Sequence, residues 1–378
     1  ELPILREFIL REKVAPEGFC LSKEEVHFTL KADSDEIVEF TFEDEPTEVV
    51  IEKTDVTTGN AVPGAGITVY DDVTGNVVFE GETDASGRVM IHELPAGKKY
   101  RFVESYSRDG FAINTTEFFF EIDEYGNITG DTEITDEPIS VIVEKKNAYD
   151  GSPMSGIVFS LLDENGKPVK VKATGAGYLV PDEAEGSERF AVNVDGKAEI
   201  RYLKAGNYIL AEETPEGFVG IGSYAMTVTE ENGTDNPYHA TITNSPTALR
   251  VYKVHADTQQ PITGAGFTFK TKAFLGFETL KFTRLENGWY MRDDNGSVTE
   301  IMVDDKGEIT VLGLPLDYTF EVPMETTIEN APSVKLGLDS DKYDVPIAIG
   351  ITLLGVGAVV WRVIAAKRAL KRKEKPED

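Results

Sequence analysis

Cys20 is the sole cysteine among 378 residues, so no disulfide can form within the chain, and a life outside the cell would require another covalent staple or none. Histidine is scarce as well. His27, His92, His239 and His255 are scattered without metal-ligand spacing, and neither a metal nor a cofactor is expected. Basic residues are outnumbered, 37 Lys and Arg against 67 Asp and Glu, and a net charge of -30 leaves no surface to neutralise phosphates, which argues against nucleic acid as a partner. Phosphate loops, nucleophile elbows and zinc motifs are missing too, so an enzyme acting on an external substrate is not expected. Long apolar runs are confined to one stretch near the C-terminus.

What is present is a repeated set of ionisable residues on apolar strand faces. Glu12, Glu104 and Glu212 are followed 32 residues later by Asp44, Asp136 and Asn244, and nine residues after those come Lys53, Lys145 and Lys253. Side chains alternate along a strand. Lys53 therefore shares a face with Val49 and Ile51, Lys145 with Val141 and Val143, and Lys253 with Leu249 and Val251. By the same rule Glu12 goes with Phe8 and Leu10, Glu104 with Tyr100 and Phe102, and Glu212 with Tyr208 and Leu210. Asp44 aligns with Phe40 and Phe42, Asp136 with Ile134, and Asn244 with Ile242. All of these polar groups are expected to face inward.

A single Lys or Glu at a strand end is ordinarily a surface charge. Recurrence at constant spacing on the apolar face favours burial, and a buried ion must find a partner or change its protonation state. Burial favours a neutral amine beside a protonated glutamic acid, and such an amine can attack the Asp or Asn side-chain carbonyl. Loss of water from Asp, or of ammonia from Asn, would leave an isopeptide cross-link. Proximity of this kind can be worth roughly 7 to 11 kcal/mol of barrier. An ion pair that never reacts is the alternative.

The intervals between the three lysines are 92 and 108 residues, the size of one small β-sandwich each. Short segments punctuated by Gly, Asn and Asp read as all-β. Asp84-Ala85-Ser86-Gly87, Val194-Asp195-Gly196 and Asp304-Asp305-Lys306-Gly307 recur before the glutamate strand and are expected to be turns rather than calcium loops. Leu2-Pro3 aligns with Leu94-Pro95 at the 92-residue offset, so the sequence is expected to begin inside a repeat.

Tyr208-Ile-Leu-Ala-Glu212-Glu-Thr-Pro-Glu-Gly217-Phe218 resembles the E-box of Cna B-type, or SpaA-like, prealbumin-like domains of Gram-positive surface proteins and pilins. Phe8 to Phe19 and Tyr100 to Phe111 carry related versions of it. In that family the first-strand lysine bonds to a last-strand Asn or Asp while the E-box glutamate shuttles protons. The resemblance thus implies Lys53 with Asp136 under Glu104, and Lys145 with Asn244 under Glu212. Glu12 and Asp44 become the tail of a preceding domain whose lysine is not in this sequence. Lys253 belongs to a degenerate repeat, because Val322 stands where its glutamate should be. The implied architecture is a truncated domain at 1–47, β-sandwiches at 48–139 and 140–247, and a degenerate sandwich at 248–335.

Val345 to Trp361 is uncharged and mostly apolar, and a basic cluster follows from Arg362. About 17 to 25 such residues span a bilayer, so a transmembrane helix is expected at 345–366, with 367–378 as a cytoplasmic tail by the positive-inside rule. No LPxTG-like sorting motif precedes it. Together with the resemblance, these features imply a single-pass protein of the cell membrane with its domains on the extracellular face of a Gram-positive bacterium, the cell wall being the other location. The expected role is a structural stalk; an adhesin for a host extracellular-matrix protein or glycan, and the accessory stalk of a larger surface enzyme, are the alternatives.

Overall fold

The computed structural model describes residues 6–30, 37–273 and 276–315. Every regular element among them is a β-strand. The expected membrane segment and tail, together with Val322, lie outside the described residues.

The first complete domain is a sandwich of two sheets. In one, the lysine strand Glu48–Asp55 lies between the antiparallel strand Arg88–His92 and the acceptor strand Glu133–Asp136, which runs parallel to it. The other orders Val77–Glu82, Gly66–Asp71, the glutamate strand Lys98–Tyr106, Phe118–Ile122 and Ile128–Gly130. Alternation along the lysine strand buries Val49, Ile51, Lys53 and Asp55. Ile51, Ile91 and Ile134 of the first sheet meet Val69, Phe102 and Ile122 of the second. The second domain repeats the plan. Its lysine strand Ser140–Asn147 pairs antiparallel with Lys197–Arg201 and parallel with the acceptor strand Tyr238–Pro246, while the glutamate strand Gly206–Glu212 lies between Val158–Asp163 and Ser223–Val228. A third core forms around Phe269, Phe282, Ile301 and Val311, where Ala248–Tyr252 pairs antiparallel with Glu308–Leu312.

The N-terminal segment departs from the expected pattern. Glu7–Arg11 and Glu25–Thr29 form a two-stranded antiparallel sheet. Phe40 to Asp44 makes no strand, Leu10 is 42% exposed and Phe40 is 39% exposed. Among the described residues this sheet has no facing sheet of its own to bury those side chains, so alternation does not by itself put them inside. Instead the rings of Phe8 and Phe28 stack with centroids 5.4 Å apart, and Phe40 lies tilted against Phe28 at 5.1 Å.

Successive units join through one repeated contact. Gly18, Gly110 and Gly217, each in the loop after a glutamate strand, take φ values of 87°, 92° and 80°. A Cβ there would lie 2.8 Å from the Glu93 carbonyl oxygen, 3.0 Å from that of Tyr202 and 2.2 Å from that of Gly313. Those three residues belong to the next unit and are also left-handed, with φ of 63°, 63° and 79°. Between the two loops the linker hydrogen-bonds both ways: Thr47, Ile139 and Thr247 donate to the glycine carbonyls at 2.8 to 2.9 Å and accept from the N–H groups of Glu93, Tyr202 and Gly313 at 2.8 to 3.0 Å. A side chain at the glycine is excluded both by conformation and by space. Gly217→Ala is therefore expected to weaken the seam between the second and third domains by about 1 to 3 kcal/mol. Limited proteolysis should find a new cleavage near Thr247, and an unchanged digestion pattern would refute the close approach.

Candidate functional site

Parallel pairing brings the first site together. Lys53 lies opposite Ile134 and Asp55 opposite Asp136, so Lys53 and Asp136 are diagonal neighbours on the inward face of one sheet. Glu104 reaches them from the facing sheet. All three side chains are fully buried: Lys53 Nζ donates to Asp136 Oδ1 and lies 3.1 Å from Glu104 Oε1. Glu104 Oε2 accepts the Asn114 N–H at 2.7 Å, while Asp136 Oδ2 has no hydrogen-bond partner. Burial pushes the Glu104 carboxyl up to about 7, reinforced by nearby Asp136 and opposed chiefly by Lys53. Burial also raises Asp136, with Lys53 acting against it.

The second site uses the same frame. Lys145 lies opposite Ile242 and Asn147 opposite Asn244. Lys145 Nζ is 3.1 Å from Glu212 Oε1 and 3.2 Å from Oε2, with both side chains buried. Asn244 is fully buried; its Nδ2 donates to Glu212 Oε1 and its Oδ1 has no hydrogen-bond partner. Burial lowers the Lys145 amine, against the pull of Glu212. In both domains an amine, a carboxyl and an acceptor side chain converge where water is excluded.

A family model for the SpaA prealbumin-like fold domain matches residues 47–138 and again 139–244, just over half of the chain. The chain belongs to this family. Among solved structures it is similar to the TIE protein of Bacillus anthracis, at 27% identity and a TM-score of 0.36, over 64% of this chain and 42% of that one. It is also similar to the minor pilin of Streptococcus agalactiae, at 19% identity and a TM-score of 0.26 over 55% and 99% of the two chains. For the shaft pilin SpaA of Lactobacillus rhamnosus GG the values are 16% and 0.25, over 53% and 97%. The chain thus spans less than half of the TIE protein. No curated protein matches.

Outside the two matched SpaA domains the sets are less complete. Glu12 is half-buried and its Oε2 accepts the Ser22 N–H at 2.7 Å, ten residues on, as Glu104 does from Asn114. Asp44 Oδ1 is buried without a hydrogen-bond partner. Lys253 is half-buried and keeps the backbone pattern of the other lysines, while position 322, where its glutamate is expected, lies outside the described residues.

Several determinants of the SpaA sites were not readable as such. The recurrent Asp/Gly markers are turns in which Asp84, Asn193 and Asp304 accept two backbone N–H groups each. Their glycines, Gly87, Gly196 and Gly307, lie against the lysine backbone: each accepts the lysine N–H at 2.7 Å, and a Cβ would come within 2.5 to 2.6 Å of the lysine carbonyl. Gly220 similarly leaves room for the second site, since a Cβ there would lie 2.8 Å from Asn244 Oδ1 and 3.1 Å from Glu212 Oε2. The recurring Gly signalled a turn, but the group it touches was decided by strand pairing.

Removing the cation exposes the electrostatics. Lys53→Met keeps most of the stem and leaves Glu104 buried beside Asp136; breaking such a pair costs about 3 to 5 kcal/mol when the carboxylate must stay ionised. Because the folded carboxyl holds its proton more tightly than the unfolded one, its stabilising contribution is complete below about 4.5 and is lost as pH rises through about 7, later still without Lys53 to oppose the shift. Urea unfolding of this variant, followed by hydrogen exchange of the first core, should therefore show falling stability between pH 5 and 9. A flat profile would contradict the desolvation of Glu104.

Proposed function

We propose that the chain is a pilin-like structural stalk of a Gram-positive cell surface whose two complete SpaA domains cross-link themselves, Lys53 to Asp136 and Lys145 to Asn244. The observation that carries this reading is the fully buried convergence of amine, glutamic acid and acceptor in both domains. An ammonium is not a nucleophile, so the lysine first yields a proton within the site. The amine nitrogen then attacks the acceptor Cγ, and the glutamic acid protonates the leaving group and receives the surplus amine proton. In the first domain ammonium and carboxylate become an amide and one water. In the second, amine and primary amide become a secondary amide and one ammonia. With Asn244, a flip of the amide turns its unpaired Oδ1 toward the acid, the orientation that polarises the carbonyl.

Each bond joins the first strand of its domain to the last across a parallel pair. The first closes a loop of 83 residues, worth about 4 to 5 kcal/mol in the chain-entropy model developed for disulfides. Unlike a disulfide, the link resists reduction, which suits a chain with one cysteine and an extracellular address. The apolar segment 345–366 would anchor the stalk, with the basic tail 367–378 inside the cell.

Intact mass and peptide mapping of the recombinant chain should show a deficit of one water and one ammonia, the first lost in Glu104→Ala and the second in Glu212→Ala. Unmodified mass in the wild type would leave both triads as ion pairs and remove the covalent part of the proposal. The reactive form of the first site carries a proton on Glu104, so its bond should form more slowly as pH rises through about 7. A rate that climbs across that range in time-resolved mass spectra would exclude Glu104 as the acid.

A further inference from the structure

The two sites differ in the residue that faces the acceptor. Opposite Asp136 on the parallel strand stands Asp55, buried and on the same inward face as Lys53; opposite Asn244 stands Asn147. The main chain fixes both pairs alike, with the N–H of Val56 donating to the Asp136 carbonyl and that of Ala148 to the Asn244 carbonyl, each at 2.9 Å. Asp55 Oδ1 accepts the Thr57 N–H at 2.7 Å, and Oδ2 accepts the Thr58 and Tyr202 hydroxyls, both at 2.7 Å. Tyr202 belongs to the second domain. It reaches Asp55 across the seam, its ring set edge-on to Phe111 at 5.5 Å and its backbone held by Ile139.

An ionised carboxylate resists nucleophilic attack, whereas a carboxylic acid or a primary amide does not. An aspartate acceptor must therefore hold a proton at the moment the amine attacks; an asparagine has no such requirement. Two buried carboxyls facing each other do not both ionise readily, and the one with hydrogen-bond donors keeps the charge. The titratable groups that face one another here are Lys53, Glu104, Asp136, Asp55 and Tyr202. Once Lys53 is neutral, Asp136 keeps only the hydrogen bond it shares with Glu104, while Asp55 retains three donors.

We propose that Asp55, held by the hydroxyl of Tyr202 from the following domain, is a positioning carboxylate that keeps the proton on Asp136 and so allows an aspartate to serve as acceptor in the first domain. The proposal rests on the cross-linking reading above. Its consequence is that the first domain acquires its bond efficiently only after the second has docked. In the second domain the neutral Asn147 faces an acceptor that needs no proton.

The test follows bond formation in freshly translated whole chain by quenching at intervals and mapping peptides, for the wild type, Tyr202→Phe and Asp55→Asn. Phe retains the ring that packs on Phe111, and the Lys145 to Asn244 bond in the same molecule is the internal standard. Both variants should slow water loss between Lys53 and Asp136 at least roughly tenfold, the scale of one charge-assisted hydrogen bond, and leave ammonia loss at Asn244 unchanged. Adding Asp136→Asn to either variant should restore rapid linkage, now with loss of ammonia. Wild-type rates of water loss in both single variants would overturn the proposal. So would slow linkage that persists with the Asn acceptor, since that marks a purely structural role. If the wild-type chain forms neither bond, the cross-linking reading itself fails; if it forms both and the variants match it, only the positioning role fails.

Discussion

A lysine ammonium cannot be left inside a β-sandwich without a counter-charge, and this requirement organises both complete domains. Lys53 and Lys145 are fully buried among apolar side chains; Lys53 is met from its own sheet by Asp136 and from the facing sheet by Glu104, and Lys145 is met from the facing sheet by Glu212, which also holds Asn244. The parallel pairing of the first and last strands sets the acceptor diagonally across from the lysine on the inward face. Glycines at the lysine backbone and beside Asn244 leave the room that these close approaches need.

The sites are linked along the chain. Nine residues separate each acceptor from the next lysine, so the last strand of one domain leads almost at once into the first strand of the next. Across that short linker the loop following the glutamate strand is clasped by a left-handed residue of the next domain. The loop from Ser107 to Asn114 thus carries two tasks: its distal end donates the N–H that holds Glu104, and its glycine and phenylalanine form the seam. Interfaces between domains of one chain are often loose. Here the seam includes a polar contact from Tyr202 to Asp55, two positions from the buried Lys53.

Differences among the repeats mark where the constraint relaxes. The third repeat retains a packed core and the glycine against its lysine backbone, yet Lys253 is only half-buried. The N-terminal segment keeps the backbone contact to Glu12 but, without a facing sheet among the described residues, leaves Leu10 and Phe40 partly in solvent.

Period-two alternation and recurrence by themselves determined the all-β class, the repeated lysine, glutamate and acceptor sets, and which faces are apolar, because these depend on residue spacing alone. The same rule overreached at Phe40 to Asp44, since alternation names a face but cannot supply the second sheet that would cover it. The chain could not specify that Lys53 and Asp136, 83 residues apart, share a parallel pair, that Gly87 and Gly196 close against the lysine backbone, or that Tyr202 reaches Asp55. Those contacts depend on strand order and on the docking of one domain against the next. They are set by long-range closure of the sandwich, for which no local spacing leaves a signature.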